Sequence, residues 1–415
     1  MKFTGRRCGL VVALTIVMAG GAVRDASSQE GVVVSPELDN TRAAQSALKY
    51  WTPERMRAAQ PMPTPGVATD STARKAAIPA SPLPSGPRGV AYGWKPGPAP
   101  AVQKVRIFND AAVPAQEMAA PLYFGTAPTN PKDGPYGPFS REGMQGTYLN
   151  YPRTLHGRYF FTLNGSNYSC SATVIGGSTI ATAGHCVSDG AGTWATNRLF
   201  CPSYYNGGPG GAGMPNPARG CWSGVMSGTS SAWHTAADPD SDYACVVLAT
   251  TGTVFANKVS TLTGVSGRGW NWSNVPVTTF GYPAVAPFLG NTIQMTNSVM
   301  WYGWDGNGLG GQVSNVIGSD LNAGSSGGGW FIGWRHVNNE VADTDGNNIT
   351  DPGGAGPFLV GINSHKRCEA GDCSSPPTTT SGIYWQEMTS PPFANTAAGG
   401  ESEDVFAGCL AHANN

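Results

Sequence analysis

From residue 151 onward, short β-branched and aromatic runs alternate with Gly, Asn and Ser: residues 158–163, 171–175, 179–182, 243–249, 277–280, 329–332 and 358–362. Runs of this length bounded by turn formers predict short strands, and many of them in succession predict an all-β sandwich or barrel. The texture before residue 151 differs. Proline clusters at 61–65, 79–87 and 96–100 punctuate it, and proline neither donates to a strand ladder nor fits a helix interior, so long helices and central strands are excluded there. One run departs from this. Residues 39–51 concentrate Ala, Gln, Leu, Lys and Arg ahead of Pro53, which predicts a helix ending before that proline.

The first residues, Lys2, Arg6 and Arg7, precede an apolar run at 8–19 and small residues through Ala22. Basic, apolar and small-residue zones in that order predict a secretory signal peptide over 1–22, and the run is too short to span a bilayer comfortably. The expected location is secreted or periplasmic. Residues 23–142 then read as a propeptide or flexible N-terminal region, which would hold the C-terminal part of the chain latent, assist its folding, or serve as a spacer. Residues 143–415 form the main domain, large enough for two packed barrels. Charged residues make up 12% of the chain, against about 25% in an average soluble protein, while Gly reaches 57 and Pro 33. A formal net charge of -1 offers no basic footprint for nucleic acid or an anionic membrane surface. A monomer is expected.

Three segments carry chemistry. Thr182-Ala183-Gly184-His185-Cys186 comes after Cys170-Ser171-Ala172-Thr173-Val174-Ile175; Gly324-Ser325-Ser326-Gly327-Gly328 is a glycine-framed serine turn; and Asp242 opens Asp242-Tyr243-Ala244-Cys245-Val246-Val247-Leu248. Together they resemble the trypsin/chymotrypsin-like serine protease superfamily, and much of the wider pattern is similar to the bacterial secreted glutamyl endopeptidases. The resemblance implies a chymotrypsin-like double β-barrel and a secreted serine endopeptidase that acts on proteins or peptides through an acyl-enzyme, without a cofactor. It assigns Ser326 as nucleophile, His185 as base, Asp242 as the carboxylate orienting the imidazole, and the N–H groups of Gly324 and Ser326 as the oxyanion hole. Ser325 lies out of the motif's register, and Asp240 is the reserve for Asp242. Cys170 and Cys186 match the pair that staples the histidine loop. The order His185, Asp242, Ser326 is the chymotrypsin order; Gly324 to Gly328 also fits the Gly-x-Ser-x-Gly elbow of lipases, but that elbow needs a helix after it, and residues 330–334 look like a strand.

Asp320 stands six residues before Ser326, where trypsin-like enzymes place the carboxylate that binds a basic P1 side chain, and Ser364 matches the serine supporting the catalytic aspartate. These two predict cleavage after Lys or Arg. His365 and Lys366 replace the usual Trp-Gly of that pocket strand, which keeps open a Glu/Asp-preferring endopeptidase; a non-catalytic trypsin-like binding protein is the rival from another class. Nine cysteines minus Cys8 in the signal leave eight, an even number that in an exported chain suggests four disulfides. Besides Cys170 with Cys186, the expected pairs are Cys201 with Cys221, Cys368 with Cys373 and, by elimination, Cys245 with Cys409. No cysteine spacing suits a metal. Asp343 to Asp351 clusters oxygen ligands suited to calcium, but its Asp-Gly step favours a hairpin. Trp270, Trp272, Trp301 and Trp304 are expected to pack a core or pocket and not to form a sugar-stacking platform.

Overall fold

The computed structural model describes residues 31–63, 66–69, 88–94, 139–143, 149–205, 219–285, 288–304, 313–334, 357–369, 387–395 and 401–415. The expected signal peptide, the segment from Asp343 to Asp351, and Cys373 lie outside these residues. In chain order the N-terminal part supplies β1 (Val32–Val34), α1 (Asn40–Tyr50), α2 (Pro53–Ala58), β2 (Gln60–Pro61), β3 (Gly66–Thr69), β4 (Gly89–Ala91) and β5 (Phe139–Gly143). The helix expected over 39–51 is α1. Asp39 caps it by accepting the Arg42 N–H at 2.8 Å, satisfying one of the orphan donors of the first turn.

The first barrel uses β6 (His156–Leu163), β7 (Ser166–Val174), β8 (Thr179–Thr182), β9 (Thr196–Pro202), β10 (Trp222–Ser230) and β11 (Ala244–Leu248). Their hydrogen-bonded order is β10-β11-β8-β7-β6-β9, and a further β9–β10 pairing closes the ring. Asn164 and Gly165 join β6 to β7 with both φ angles positive, 49° and 79°, the two-residue turn whose twist matches an antiparallel hairpin.

The second barrel uses β13 (Val275–Gly281), β14 (Gln294–Trp304), β15 (Val313–Gly318), β16 (Gly329–Ile332), β17 (Phe358–Ile362), β18 (His365–Glu369) and β19 (Glu387–Ser390); β12 (Gly267–Trp270) and β4 extend its sheet. The order runs β18-β19-β15-β14-β13-β16-β17. Only Asn363 and Ser364 separate β17 from β18, so one bent chain segment pairs with β16 on one side and β19 on the other and closes the circle. The fold is thus all-β and chymotrypsin-like, two barrels side by side, with the serine turn and the histidine loop meeting between them. The strand β16 directly after the serine turn excludes a lipase elbow, which feeds a helix.

Residues 31–62, where the sequence suggests a loosely ordered arm, dock on the first barrel. β1 adds to the edge of β10, Trp51 packs on Phe160 with ring centroids 5.5 Å apart, and the buried Arg198 donates to Ser35 Oγ at 2.7 Å. β5 pairs with β14 along its whole length, so it straddles the boundary expected at 142/143 and belongs to the second sheet. Two short helices, α3 (Ser231–Ala236) and α4 (Ser260–Thr263), sit in connections, and α5 (Ser402–Leu410) packs on β10 and β11.

Three of the expected disulfides are present: Cys170–Cys186, Cys201–Cys221 and Cys245–Cys409. The fourth, Cys368 with Cys373, involves Cys373, which lies outside the described residues. Cys245–Cys409 ties α5 to β11 across a separation of 164 residues; opening so long a loop in the unfolded chain is worth up to about 5 kcal/mol. The double substitution Cys245→Ala/Cys409→Ala is therefore expected to lower the denaturant midpoint far more than any single surface change. An unchanged midpoint would show that α5 is held by packing alone. Trp272 packs against β4, its indole N–H donating to the Gly89 carbonyl at 3.1 Å; the side chains of Trp301 and Trp304 lie outside the described residues.

Candidate active site

β8 and β11 are antiparallel neighbours, with Thr182 opposite Ala244. The residues just after β8 and just before β11 therefore emerge at the same edge, and these are His185 and Asp242. His185 sits in a 3-10 turn, Gly184–Cys186, stapled to β7 by the Cys170–Cys186 disulfide. Gly184 is required there: a Cβ would lie 2.7 Å from the Trp233 ring and 2.9 Å from Asp242 Oδ1. The Asp242 carboxylate holds His185 with both oxygens, accepting its backbone N–H at Oδ1 (2.7 Å) and meeting the ring Nδ1 at Oδ2 (2.8 Å). Asp240, the reserve, lies in the preceding turn, Pro239–Ser241, and Asp242 alone makes these contacts.

A carboxylate only accepts hydrogen bonds, so Nδ1 must carry the proton and Nε2 is left with its lone pair. Ser364 Oγ also donates to Asp242 Oδ2 and meets His365 Nδ1, which itself lies 3.8 Å from that oxygen. Asp242 is fully buried. Burial pushes its carboxyl up, but His185, by charge and hydrogen bond, with His365 and Ser364, outweighs that and holds it below the usual carboxylate range. Burial drives His365 down to about 4, against the pull of Asp242, so the second imidazole is neutral near pH 7.

The serine turn is pinned against this loop. Gly324 and Gly327 have φ of 93° and 77°, conformations that side chains with a Cβ rarely adopt. A Cβ on Gly327 would stand 2.1 Å from Thr182 Oγ1. The Ser326 carbonyl accepts the Ser171 N–H at 2.7 Å and lies 3.9 Å from Cys186 Sγ, which sets Ser326 beside the histidine. Ser325 faces the other way: its Cβ would lie 2.7 Å from a Cβ on Gly281, and its carbonyl accepts from Asn363 Nδ2 at 3.1 Å. Ser326 Oγ and His185 Nε2 are both buried without a hydrogen-bond partner among the described residues, so the bond between them is not formed here. Contacts between a base and its nucleophile commonly tighten only with substrate in place. Cys170, His185 and Cys186 are the cluster of metal-ligand type among the described residues, but both sulfurs are spent in the disulfide and offer no thiolate.

The expected pocket carboxylate, Asp320, is not open. Arg141 of β5 reaches it with Nε 3.2 Å from Oδ2, and both side chains are largely buried. Burial raises the Asp320 carboxyl, against the pull of Arg141 and then Lys366. Burial also lowers Lys366 to about 8, with Asp320 opposing. Sequence reasoning misses Arg141, since nothing local to residue 141 signals that β5 joins a sheet with β14. It also misses Met62, whose carbonyl accepts the Gly324 N–H at 3.1 Å.

No protein-family model and no curated protein matches the chain. Among solved structures the chain is similar to the protease Anisep from Arthrobacter nicotinovorans, at 25% identity and a TM-score of 0.47, covering 64% of this chain and 99% of that one. It is also similar to a thermostable serine protease, AL20, from an extremophilic microorganism, at 27% identity and a TM-score of 0.42, over 58% of this chain and 92% of the other. A Glu endopeptidase in complex with MPD matches at 14% identity and a TM-score of 0.39, over 66% and 97% of the two chains. The chain thus resembles bacterial serine proteases.

Proposed function

We propose that the protein is an exported serine endopeptidase in which His185, Asp242 and Ser326 form the catalytic triad. The observation that carries this reading is the double contact of Asp242 with His185, which fixes the tautomer a general base requires, on a loop stapled beside Ser326. Ser326 Oγ attacks the peptide carbonyl as His185 Nε2 takes its proton, and Asp242 stabilises the imidazolium. The Gly324 and Ser326 N–H groups hold the tetrahedral oxyanion; the proton then passes to the leaving amine, and water hydrolyses the acyl-enzyme by the same route. Each oxyanion donor of this kind contributes about 3 to 4 kcal/mol to the transition state. The chemistry needs no cofactor. Three disulfides fit a secreted or periplasmic protein, and among the described residues no helix is long and apolar enough to cross a membrane. The rival, a binding protein on the same fold, predicts no burst of product when the form lacking the residues before Phe139 is mixed with an activated ester; the protease reading predicts a burst equal to the enzyme concentration.

Processing falls before Phe139, because β5 supplies the second sheet with a strand and Asp320 with its counter-charge. N-terminal sequencing of the exported form tests this: a start at or after residue 143 would contradict it. The basic P1 preference expected from Asp320 then meets a specific objection. Asp320 is paired with the buried Arg141 and lies within the electrostatic reach of Lys366, so it is not free to bind a basic P1 side chain, which favours an acidic one. A peptide library is expected to give acidic over basic P1 by at least about tenfold, one unit of pKa-scale interaction. That preference should fade as pH rises through about 8, where Lys366 loses its proton. Preferred cleavage after Lys or Arg would restore the simpler reading of Asp320.

A further inference from the structure

Two short strands of the N-terminal region, β2 and β3, pair with strands of different barrels near the serine turn. β2 lies parallel to β7, with Gln60 opposite Tyr168 and Pro61 opposite Ser169. The next residue, Met62, donates its N–H to the Ser169 carbonyl at 2.9 Å and accepts the Gly324 N–H at 3.1 Å. Further on, β3 lies parallel to β18, with Gly66 opposite Lys366 and Thr69 opposite Glu369. Ser169 belongs to the first barrel beside Cys170, and Lys366 to the second, two residues past Ser364. Residues 60–62 therefore pair with the first barrel beside the serine turn and residues 66–69 with the second, and the Met62 carbonyl takes the N–H assigned to the oxyanion.

The local sequence suits this use. Pro61 and Pro63 fix φ near the extended range and Pro63 biases Met62 toward the same conformation, so little freedom is lost when the segment is laid in the cleft. Met62 is the residue there that keeps an N–H, and that N–H is used. The carbonyl offered to Gly324 belongs to a Met62–Pro63 bond, a tertiary amide whose ring crowds the leaving nitrogen. Upstream, the segment is anchored: Trp51, Met56 and Ala59 are buried, the Trp51 indole donates to the Asn197 carbonyl, and Tyr50 Oη donates to Asn167 Oδ1 at 2.9 Å. Ser326 is fully buried and His185 is 3% exposed.

We propose that the edge formed by Ser169, Gly324 and β18 is a peptide-binding surface whose built-in occupant is the extended stretch at residues 60–62 and 66–69, and that this occupant shuts the site until it is removed. The proposal rests on the protease reading only for its consequence, since the pairing itself does not require Ser326 to react. It identifies the ligand class of the surface as an extended, proline-interrupted peptide that runs parallel to both strands and offers a carbonyl to Gly324.

The test uses the full chain and its Pro61→Gly/Pro63→Gly variant, with melting temperatures to confirm that both fold. Two readouts are recorded: the rate at which a small fluorophosphonate labels Ser326, and amide hydrogen exchange of the peptide containing Gly324. Loosening two prolines is expected to raise both rates about tenfold, and a synthetic peptide covering residues 57–70, added to the variant, is expected to slow both again. Equal exchange and equal labelling in the two chains would overturn the proposal. Faster exchange in the variant with no labelling of either chain would support the occupied cleft and overturn the protease reading instead.

Discussion

Replacing Ser326 by Ala is expected to lower kcat about a million-fold, the scale seen when a nucleophile acting as one unit with its base is removed. The substitution deletes one buried oxygen that has no hydrogen-bond partner among the described residues, so it leaves no donor or acceptor stranded and stability should not fall. The turn itself is held by its backbone, through the Ser326 carbonyl on Ser171 and the Gly327 N–H on the Asn363 carbonyl at 2.8 Å, and none of that changes. Ser325→Ala is the matched control. It removes an equally buried hydroxyl one residue away, on the side of the turn facing Gly281, and is expected to retain activity within about tenfold. Equal losses in the two variants would mean that the turn, and not the hydroxyl, carries the effect.

Asp242→Asn is expected to cost about four orders of magnitude in kcat. Oδ1 faces a backbone N–H, which can only donate, so the amide oxygen of Asn must take that place. Its NH2 group then faces His185 Nδ1, where the carboxylate accepted before. Two donors cannot share that contact, so the ring moves its proton to Nε2 and can no longer accept one from Ser326. KM should change little, because nothing in the substrate cleft is altered. The same carboxylate links pH to stability. Its folded pKa is held below the usual range, so its contribution to stability is complete above the ordinary carboxylate value near 4. That contribution is lost as pH falls through the folded value, and the Asn variant should lack this acid-side loss.

The parts of the molecule that can be read from sequence are those whose local pattern matches their environment. All seven predicted runs are strands, from β6 to β17, because each carries β-branched or aromatic residues between turn formers. β10, Trp-Ser-Gly-Val-Met-Ser-Gly-Thr-Ser, does not look like one. It is buried along its whole length, between the barrel interior and a cover of β1, α1 and α5, and small residues fill a place where large ones would not fit. α5 escapes notice for a related reason: nine residues with a Gly near the end are too short for a clear helical period, and its position depends on Cys409 and on Phe406 packing against Phe393 at 5.2 Å between centroids.

The site divides in the same way. His185, Asp242 and Ser326 stand at the ends of elements with their own local signatures, so spacing and chain order suffice to nominate them. Arg141 and Met62 act through pairings of strands distant in sequence, β5 with β14 and β2 with β7, whereas His365 is nominated by its place in the pocket strand. Register of that kind is set by the whole barrel and leaves no local mark. The consequence is largest at Asp320. Its place six residues before Ser326 suggests a pocket for a basic side chain, whereas the buried Arg141 already answers its charge.

The most direct measurement is the site of covalent modification. The full chain, treated by limited proteolysis to remove the residues before Phe139, is incubated with a fluorophosphonate, digested and mapped by mass spectrometry. The account predicts one adduct per molecule, on Ser326, absent from the Ser326→Ala chain and strongly reduced in His185→Ala. An adduct on Ser325 or elsewhere, or a folded and processed protein that takes no label at all, would contradict it.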